Sequence, residues 1–341
     1  MAINVLLVDD SAVVRTMIAR AIEADPDIRV TGVAGDGAAA LRVMAASPPD
    51  VVVLDVEMPV MDGLAALPRI LAAKPGVAVI MASALTARHA GMSLTALRLG
   101  AADYVPKPAP GNDNLPGFYE EVIAKIKAHA PKQKPAPLLT PQAHVWRFMP
   151  KAVAIGASTG GPPALLKVFA KAKGAIRTPV FVTQHMPATF TGILADQIGQ
   201  VSSARALEAR DGMRVEEGCV YVAPGGRHLI AERDAAGVVL RLADTPPENF
   251  CKPAVDPMLR SLAKAYGAGL LAAILTGMGR DGAEGARAVA EAGGRFFVQD
   301  EATSVVWGMP GAAFKTGRAM GQLSLDAAVD YLAAAMRGQG A

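Results

Sequence analysis

Four short, β-branched apolar runs punctuate the first third of the chain: Ile3 to Val8, Val51 to Leu54, Val77 to Ala82 and Asp103 to Val105. Each is bounded by polar or turn residues, the pattern of strands buried on both faces. Between them Ser11 to Ala24, Gly37 to Ala46 and Gly63 to Ala73 repeat apolar residues at helical spacing. Strands alternating with helices predict a doubly wound parallel α/β sheet, in which the strands' C-terminal ends share one edge. Glu120 to Ala128 reads as a closing helix, after which Pro131, Pro135, Pro137, Pro141 and Pro150 interrupt any regular element. The alternation then resumes, with strands Ala152 to Ile155, Pro179 to Thr183, Leu270 to Leu275 and Arg295 to Val298, and helices Pro162 to Lys171 and Gly282 to Ala292. The chain of 341 residues is thus expected to hold two domains. The first covers residues 1–127. A semi-extended proline-rich linker covers 128–150, with Trp146 and Phe148 expected to pack on a domain. The second covers 151–341 and has a mostly parallel sheet of its own.

The polar residues at the ends of the first four runs carry chemistry. Asp9 and Asp10 end one run, Asp55 another, Ser83 a third, and Lys107 follows the fourth. Three carboxylates at one sheet edge repel each other unless a cation holds them, and an all-oxygen set of this size suits Mg²⁺. Asp55, solitary on its strand, is the candidate nucleophile toward a phosphoryl donor; Lys107 would neutralise the growing charge and Ser83 donate a hydrogen bond. Any one of these acids alone could be a helix N-cap, but capping requires no lysine after the last strand. Val8-Asp9-Asp10-Ser11, Leu54-Asp55-Val56-Glu57-Met58-Pro59, Met61-Asp62-Gly63, Ser83 and Lys107-Pro108 resemble the response-regulator receiver domain, a flavodoxin-like fold. The resemblance implies that Asp55 accepts phosphate from a histidine kinase, that Asp9 and Asp10 with Asp55 bind Mg²⁺, and that Ser83 and Tyr104 with Lys107 form the switch.

In the second domain Gly156-Ala157-Ser158-Thr159-Gly160-Gly161 turns a strand into a helix. As a dinucleotide loop it lacks glycine at position 158 and an acid about 20 residues on. The alternative is a serine raised above the sheet edge on a tight strand-to-helix turn. Two further strands run into Gln184-His185-Met186-Pro187 and Thr276-Gly277-Met278-Gly279-Arg280-Asp281-Gly282, so a histidine and an acid join the same edge. Ser158 would then attack an acyl carbon, His185 carry the proton, and Asp281 orient the imidazole. His228, within Pro-Gly-Gly-Arg-His, is expected to lie on the surface.

These stretches, with Tyr221 to Gly226, Cys251 to Asp256 and Gln299 to Thr303, resemble the catalytic domain of the chemotaxis protein-glutamate methylesterase family, CheB, and the receiver in front of it matches the whole regulator. The resemblance implies hydrolysis of methylated glutamates, and deamidation of glutamines, on the cytoplasmic helices of methyl-accepting chemotaxis proteins. It also implies activation by phosphate from a kinase of the CheA type and a backbone N–H of Met278 in the oxyanion hole; the esterase itself would need no cofactor. One departure is Gly311, where the family often carries a basic residue.

Charge and composition exclude other classes. Residues 1–127 hold 14 acids against 11 bases, and the remainder 17 against 23, so the halves are opposite in sign. The bases lack the aromatic interleaving or reading motif of a nucleic-acid binder, and no helix-turn-helix effector is legible. A binding-only adaptor would have no need of the serine, histidine and aspartate together. Two cysteines, Cys219 and Cys251, are too few for a disulfide framework. No run of about 18 apolar residues and no leader pattern occurs, so a cytoplasmic, non-inserted protein is expected.

Overall fold

The structure, a computed structural model, describes residues 2–84, 86–108, 115–131 and 148–338. Its contacts divide the chain into two units, Met1–Gln133 and Lys134–Ala341. Most of the expected linker, Trp146 included, lies outside the described residues. Phe148 is described, and the Arg295 guanidinium lies 4.7 Å from its ring centre.

The first unit runs β1 (Ile3–Val8), α1 (Ala12–Glu23), β2 (Ile28–Ala34), α2 (Gly37–Ala46), β3 (Val51–Asp55), α3 (Gly63–Ala73), β4 (Ala78–Ala84), α4 (Ala87–Arg98), β5 (Asp103–Lys107) and α5 (Leu115–His129). Its five strands are parallel in the order β2-β1-β3-β4-β5. The chain reverses direction across the sheet between β1 and β3, where open α/β sheets place their ligands. Val5, Leu7, Val51, Val53 and Ile80 bury one face of the sheet against Ile18, Ile22, Val122 and Ile126 of α1 and α5. Helix capping falls to Ser11, Asp36 and Asp62, whose side chains accept from Val14, Ala39 and Ala65 N–H. The acids at the sheet edge are spared for other work: Asp9 accepts from Ser11 N–H and Asp55 from Val56 N–H. Strand β2 escapes the sequence pattern because it is an edge strand, with only Ile28 and Ala34 fully buried. Ser83 sits within β4 rather than after it.

The second unit runs β6 (Ala152–Ala157), α6 (Gly161–Lys171), β7 (Val180–Gln184), α7 (Ala188–Ser202), β8 (Arg205–Glu208), β9 (Cys219–Val222), β10 (His228–Asp234), β11 (Gly237–Ala243), α8 (Val255–Tyr266), β12 (Leu270–Ile274), α9 (Ala283–Glu291), β13 (Arg295–Gln299), α10 (Gly308–Phe314), β14 (Gln322–Leu323) and α11 (Leu325–Met336). Seven parallel strands follow the order β14-β13-β12-β6-β7-β9-β8, and β10 and β11 form a separate antiparallel pair. Here the reversal lies at β6, between β12 and β7, so the loops after these three strands meet. Val255, Met258, Leu259 and Leu262 of α8 pack on the sheet and on Leu229, Ala231, Val238 and Leu240 of the hairpin. That packing gives the hairpin an apolar face it could not bury alone.

Candidate functional site

In the first unit the carboxylate oxygens of Asp9, Asp10 and Asp55 lie within 4.8 Å of one another. Asp9 and Asp55 are buried and Asp10 is exposed, which leaves the cluster one open side. Lys107 Nζ contacts Asp9 Oδ2 at 2.6 Å and Asp55 Oδ2 at 2.8 Å. Burial pushes the Asp55 carboxyl up against the opposing pull of Lys107. Burial also works against the Lys107 charge, but the two carboxylates outweigh it and hold the ammonium up. Gly63 lets the start of α3 close on β3: its N–H donates to Val56 O, and a Cβ there would stand 2.1 Å from Asp55 O. Ser83 Oγ shares a 2.6 Å hydrogen bond with Ser93 Oγ of α4, both residues being fully buried. Tyr104 is buried as well, with Lys125 Nζ 4.9 Å from its ring centre. Three carboxylates open to solvent on one side form an oxygen donor set that fits Mg²⁺, which keeps several of its waters.

In the second unit the last residue of β6 pairs with the last of β7, Ala157 with Gln184, so Ser158 and His185 leave adjacent strands side by side. His185 N–H donates to Ala157 O at 3.2 Å, and Gln184 Nε2 donates to Ser158 O at 2.9 Å. From the other flank Ser158 N–H donates to Thr276 O, just past β12. Thr276 is held in turn: its N–H donates to Gln299 Oε1, its Oγ1 donates to Thr159 O and accepts from Val305 and Val306 N–H. Gly277 is a glycine for steric reasons, since a Cβ there would lie 2.9 Å from Ser158 Cβ and 2.4 Å from Met309 Sδ. The Met278 side chain is exposed. Among the described residues no hydrogen bond ties up the Ser158 hydroxyl or the Met278 N–H.

His185 and Asp281 are in direct contact, Nε2 to Oδ2 at 2.7 Å. Asp281 is 1% exposed and also accepts from Val255, Asp256 and Gly282 N–H. Burial alone would push its carboxyl up, but the histidine and these N–H groups hold it below the usual range. Burial likewise pulls His185 down; Asp281 and Cys251 outweigh it and hold the imidazole up at about 9.

The sequence reading missed four residues here. Cys251 Sγ lies 3.3 Å from His185 Nδ1. Asn249 Nδ2 donates to Asp256 Oδ2 at 2.9 Å and to Asp281 Oδ1 at 3.3 Å. Asp256 is 2% exposed; burial raises it, the Gly285 N–H opposes, the Asp281 charge adds, and its carboxyl stands at about 6. His228 corrects the surface expectation: it is fully buried, its Nε2–H donates to Pro246 O and its Nδ1 accepts from Ala254 N–H. The proline-glycine turn before it misled, because the histidine opens β10 and points under the 246–254 loop rather than out of the turn. Cys251 to Asp256 was legible as a motif, but only the fold brings it to His185. Gly311 is buried, and a Cβ there would stand 2.9 Å from Trp307 Cε3, so any side chain at this position would have to displace the Trp307 ring.

Comparison with known proteins agrees with this layout. The sequence model of the CheB methylesterase family matches residues 153–332, and that of the response regulator receiver domain matches 5–115. A protein-glutamate methylesterase/protein-glutamine glutaminase of Paramagnetospirillum magneticum is 47% identical over 93% of this chain and 91% of its own. One from Azospirillum brasilense is 44% identical over 92% and 88%. Among solved structures, the Thermotoga maritima CheB methylesterase catalytic domain is 38% identical and covers 54% of this chain and 97% of its own, with a TM-score of 0.52. Among the described residues no helix is long and apolar enough to cross a membrane. The chain belongs to the CheB family of chemotaxis response regulators: it is a protein-glutamate methylesterase/protein-glutamine glutaminase, a hydrolase with a receiver domain at its N-terminus.

Proposed function

We propose that Ser158, His185 and Asp281 hydrolyse glutamyl methyl esters, and deamidate glutamines, on the cytoplasmic helices of chemoreceptors, and that phosphorylation of Asp55 by a histidine kinase raises this activity. The observation that carries the reading is the His185–Asp281 contact of 2.7 Å beside a serine delivered in register from the next strand. With Asp281 on Nε2, the nitrogen that takes the Ser158 proton is Nδ1, which the Cys251 thiol touches at 3.3 Å and would give up to the serine. The serine oxygen attacks the ester carbonyl, and the Met278 N–H donates to the oxyanion that forms. The imidazolium, steadied by Asp281, then protonates the departing methoxide, and methanol leaves. Water repeats the sequence on the acyl-enzyme to release glutamate; with a glutamine substrate the first leaving group is ammonia. Thr276, Gln184 and Gln299 position the serine turn without touching the substrate.

In the receiver, Asp55 is the phosphoacceptor and Lys107 neutralises charge on the phosphoryl group. Asp9, Asp10 and Asp55 would hold Mg²⁺, which when bound offsets the charge of donor and acceptor together. In the switch, Ser83 would turn from Ser93 toward the phosphoryl oxygens, and Tyr104, buried on the neighbouring strand, would follow; the Ser83–Ser93 bond of 2.6 Å supports this reading. A receptor substrate places the reaction in the cytoplasm. The test is methanol release from methylated receptor: Ser158→Ala, folded by circular dichroism, should fall to background, by on the order of 10⁶ as in comparable triads. Wild-type release from that variant would exclude serine catalysis.

A further inference from the structure

The loop that carries Asn249 and Cys251 ends in a feature the chemistry above leaves unused. Glu248 and Cys251 pair across a two-residue turn, with N–H to O bonds of 3.1 and 2.9 Å in both directions. Its central residues have φ of 51° at Asn249 and 64° at Phe250. Such turns favour Asn at the first position and Gly at the second. A bulky side chain in the left-handed region costs about 1–2 kcal/mol, and here that side chain is a phenylalanine 103% exposed. It is not loosely held: His228 pins both ends of the loop, Arg260 grips Glu248 through two bonds of 2.7 and 2.9 Å, and Asn249 is bonded to Asp281. The fold thus holds an aromatic ring in water, on a braced turn, one residue from the thiol that touches His185. Met278, another exposed large apolar residue, at 58%, stands in the loop that carries Asp281.

We propose that Phe250 is a specificity-determining residue that packs on the helical substrate beside the modified glutamyl, favouring an apolar residue one turn away. The proposal rests on the methylesterase reading of this site. A glutamyl side chain on a helix has its nearest neighbours three and four residues along. A ring standing off the site reaches those neighbours while Ser158 reaches the ester. An aromatic side chain has only two torsions to order, and on a braced backbone it loses little conformational freedom on contact, which is why such residues anchor interfaces. An apolar rim also suits the neutral ester or amide better than the carboxylate product, which would favour release.

The test uses the full-length protein with two substrates: helical coiled-coil peptides bearing glutamate γ-methyl ester with Leu or Ser one turn away, and N-acetylglutamate γ-methyl ester. Phe250→Ala and Phe250→Gly should lower kcat/KM on the Leu peptide by about tenfold, through KM, and abolish the Leu-over-Ser preference. Both should leave the small ester within about twofold of wild type, and Phe250→Leu should retain most of the peptide activity. Phe250→Gly should also melt higher, because glycine relieves the turn. Equal losses on both substrates would make Phe250 a structural residue, and unchanged peptide kinetics would remove it from recognition. Faster unphosphorylated turnover of the small ester by Phe250→Ala would assign the ring to the receiver instead, and would overturn the proposal. Failure of the hydrolase reading is separate, since it would appear as Ser158-independent hydrolysis of the small ester whatever stands at 250.

Discussion

Replacing Asp281 by Asn isolates what holds the imidazole. In the folded protein His185 stands at about 9 against an ordinary 6.5, although burial alone would lower it. That interval corresponds to about 3.4 kcal/mol in favour of the imidazolium, at ~1.36 kcal/mol per pH unit. His185 is little exposed, at 12% of its side chain, so solvent screens this only weakly. Asp281 and Cys251 supply the gain together, and Asp281 contributes the ionic partner. Asp281→Asn should therefore bring the His185 titration down from about 9 toward the ordinary value. Because the imidazolium forms as the serine proton is taken, kcat/KM measured above about pH 9, where the wild-type imidazole is neutral in the free enzyme, should also fall, by up to about 300-fold if the whole interval is lost. The sign of the stability effect follows from a raised folded-state value. The contribution is fully present below 6.5 and is lost as pH rises through about 9. Wild type should thus lose about 3.4 kcal/mol from this group between about pH 6 and about pH 9.5 in urea unfolding, and the variant should lose less. Histidine-labelled NMR titration reads the imidazole directly, and the wild-type pH profile of kcat/KM should climb toward pH 9 rather than level off near neutrality. An unchanged titration of His185 in Asp281→Asn would refute the reasoning, as would a wild-type profile flat from pH 6 to 9.

Two further outcomes test other parts of the molecule. Gly277→Ala places a Cβ 2.4 Å from Met309 Sδ and 2.9 Å from Ser158 Cβ; overpacking of this kind costs about 1–3 kcal/mol, and kcat should fall more than KM changes, read by thermal melting and steady-state kinetics. Asp55→Asn should abolish hydroxylamine-labile phosphate labelling and make methanol release insensitive to a small phosphodonor with Mg²⁺, and undiminished labelling would reject Asp55 as the acceptor.

Most of the architecture was legible along the chain because parallel strands buried on both faces write themselves as short apolar runs, as at Val51–Asp55 and Leu270–Ile274. In such a sheet the polar residue after each strand must come to a common edge, so Asp9, Asp55 and Lys107, and Ser158, His185 and Asp281, could be grouped before any coordinates. Edge and half-buried elements were not legible. Strand β2 buries two of its seven residues completely, and the β10–β11 hairpin finds its apolar partner only in α8. The tertiary structure also decided the surroundings of the histidine. Cys251, Asn249 and Asp256 lie 25 to 66 residues from the His185 and Asp281 groups they touch, and no local periodicity encodes which loop folds over which strand end. Nor does a proline-glycine turn reveal that the next histidine faces inward, because burial of His228 depends on the 246–254 loop closing over it. The sequence determined which side chains reach the edge, since strand direction is a local property. Which ring nitrogen meets Asp281, and how far the imidazole is held from its ordinary value, followed only from packing, because desolvation and hydrogen bonding are set by the groups that the whole fold brings around it.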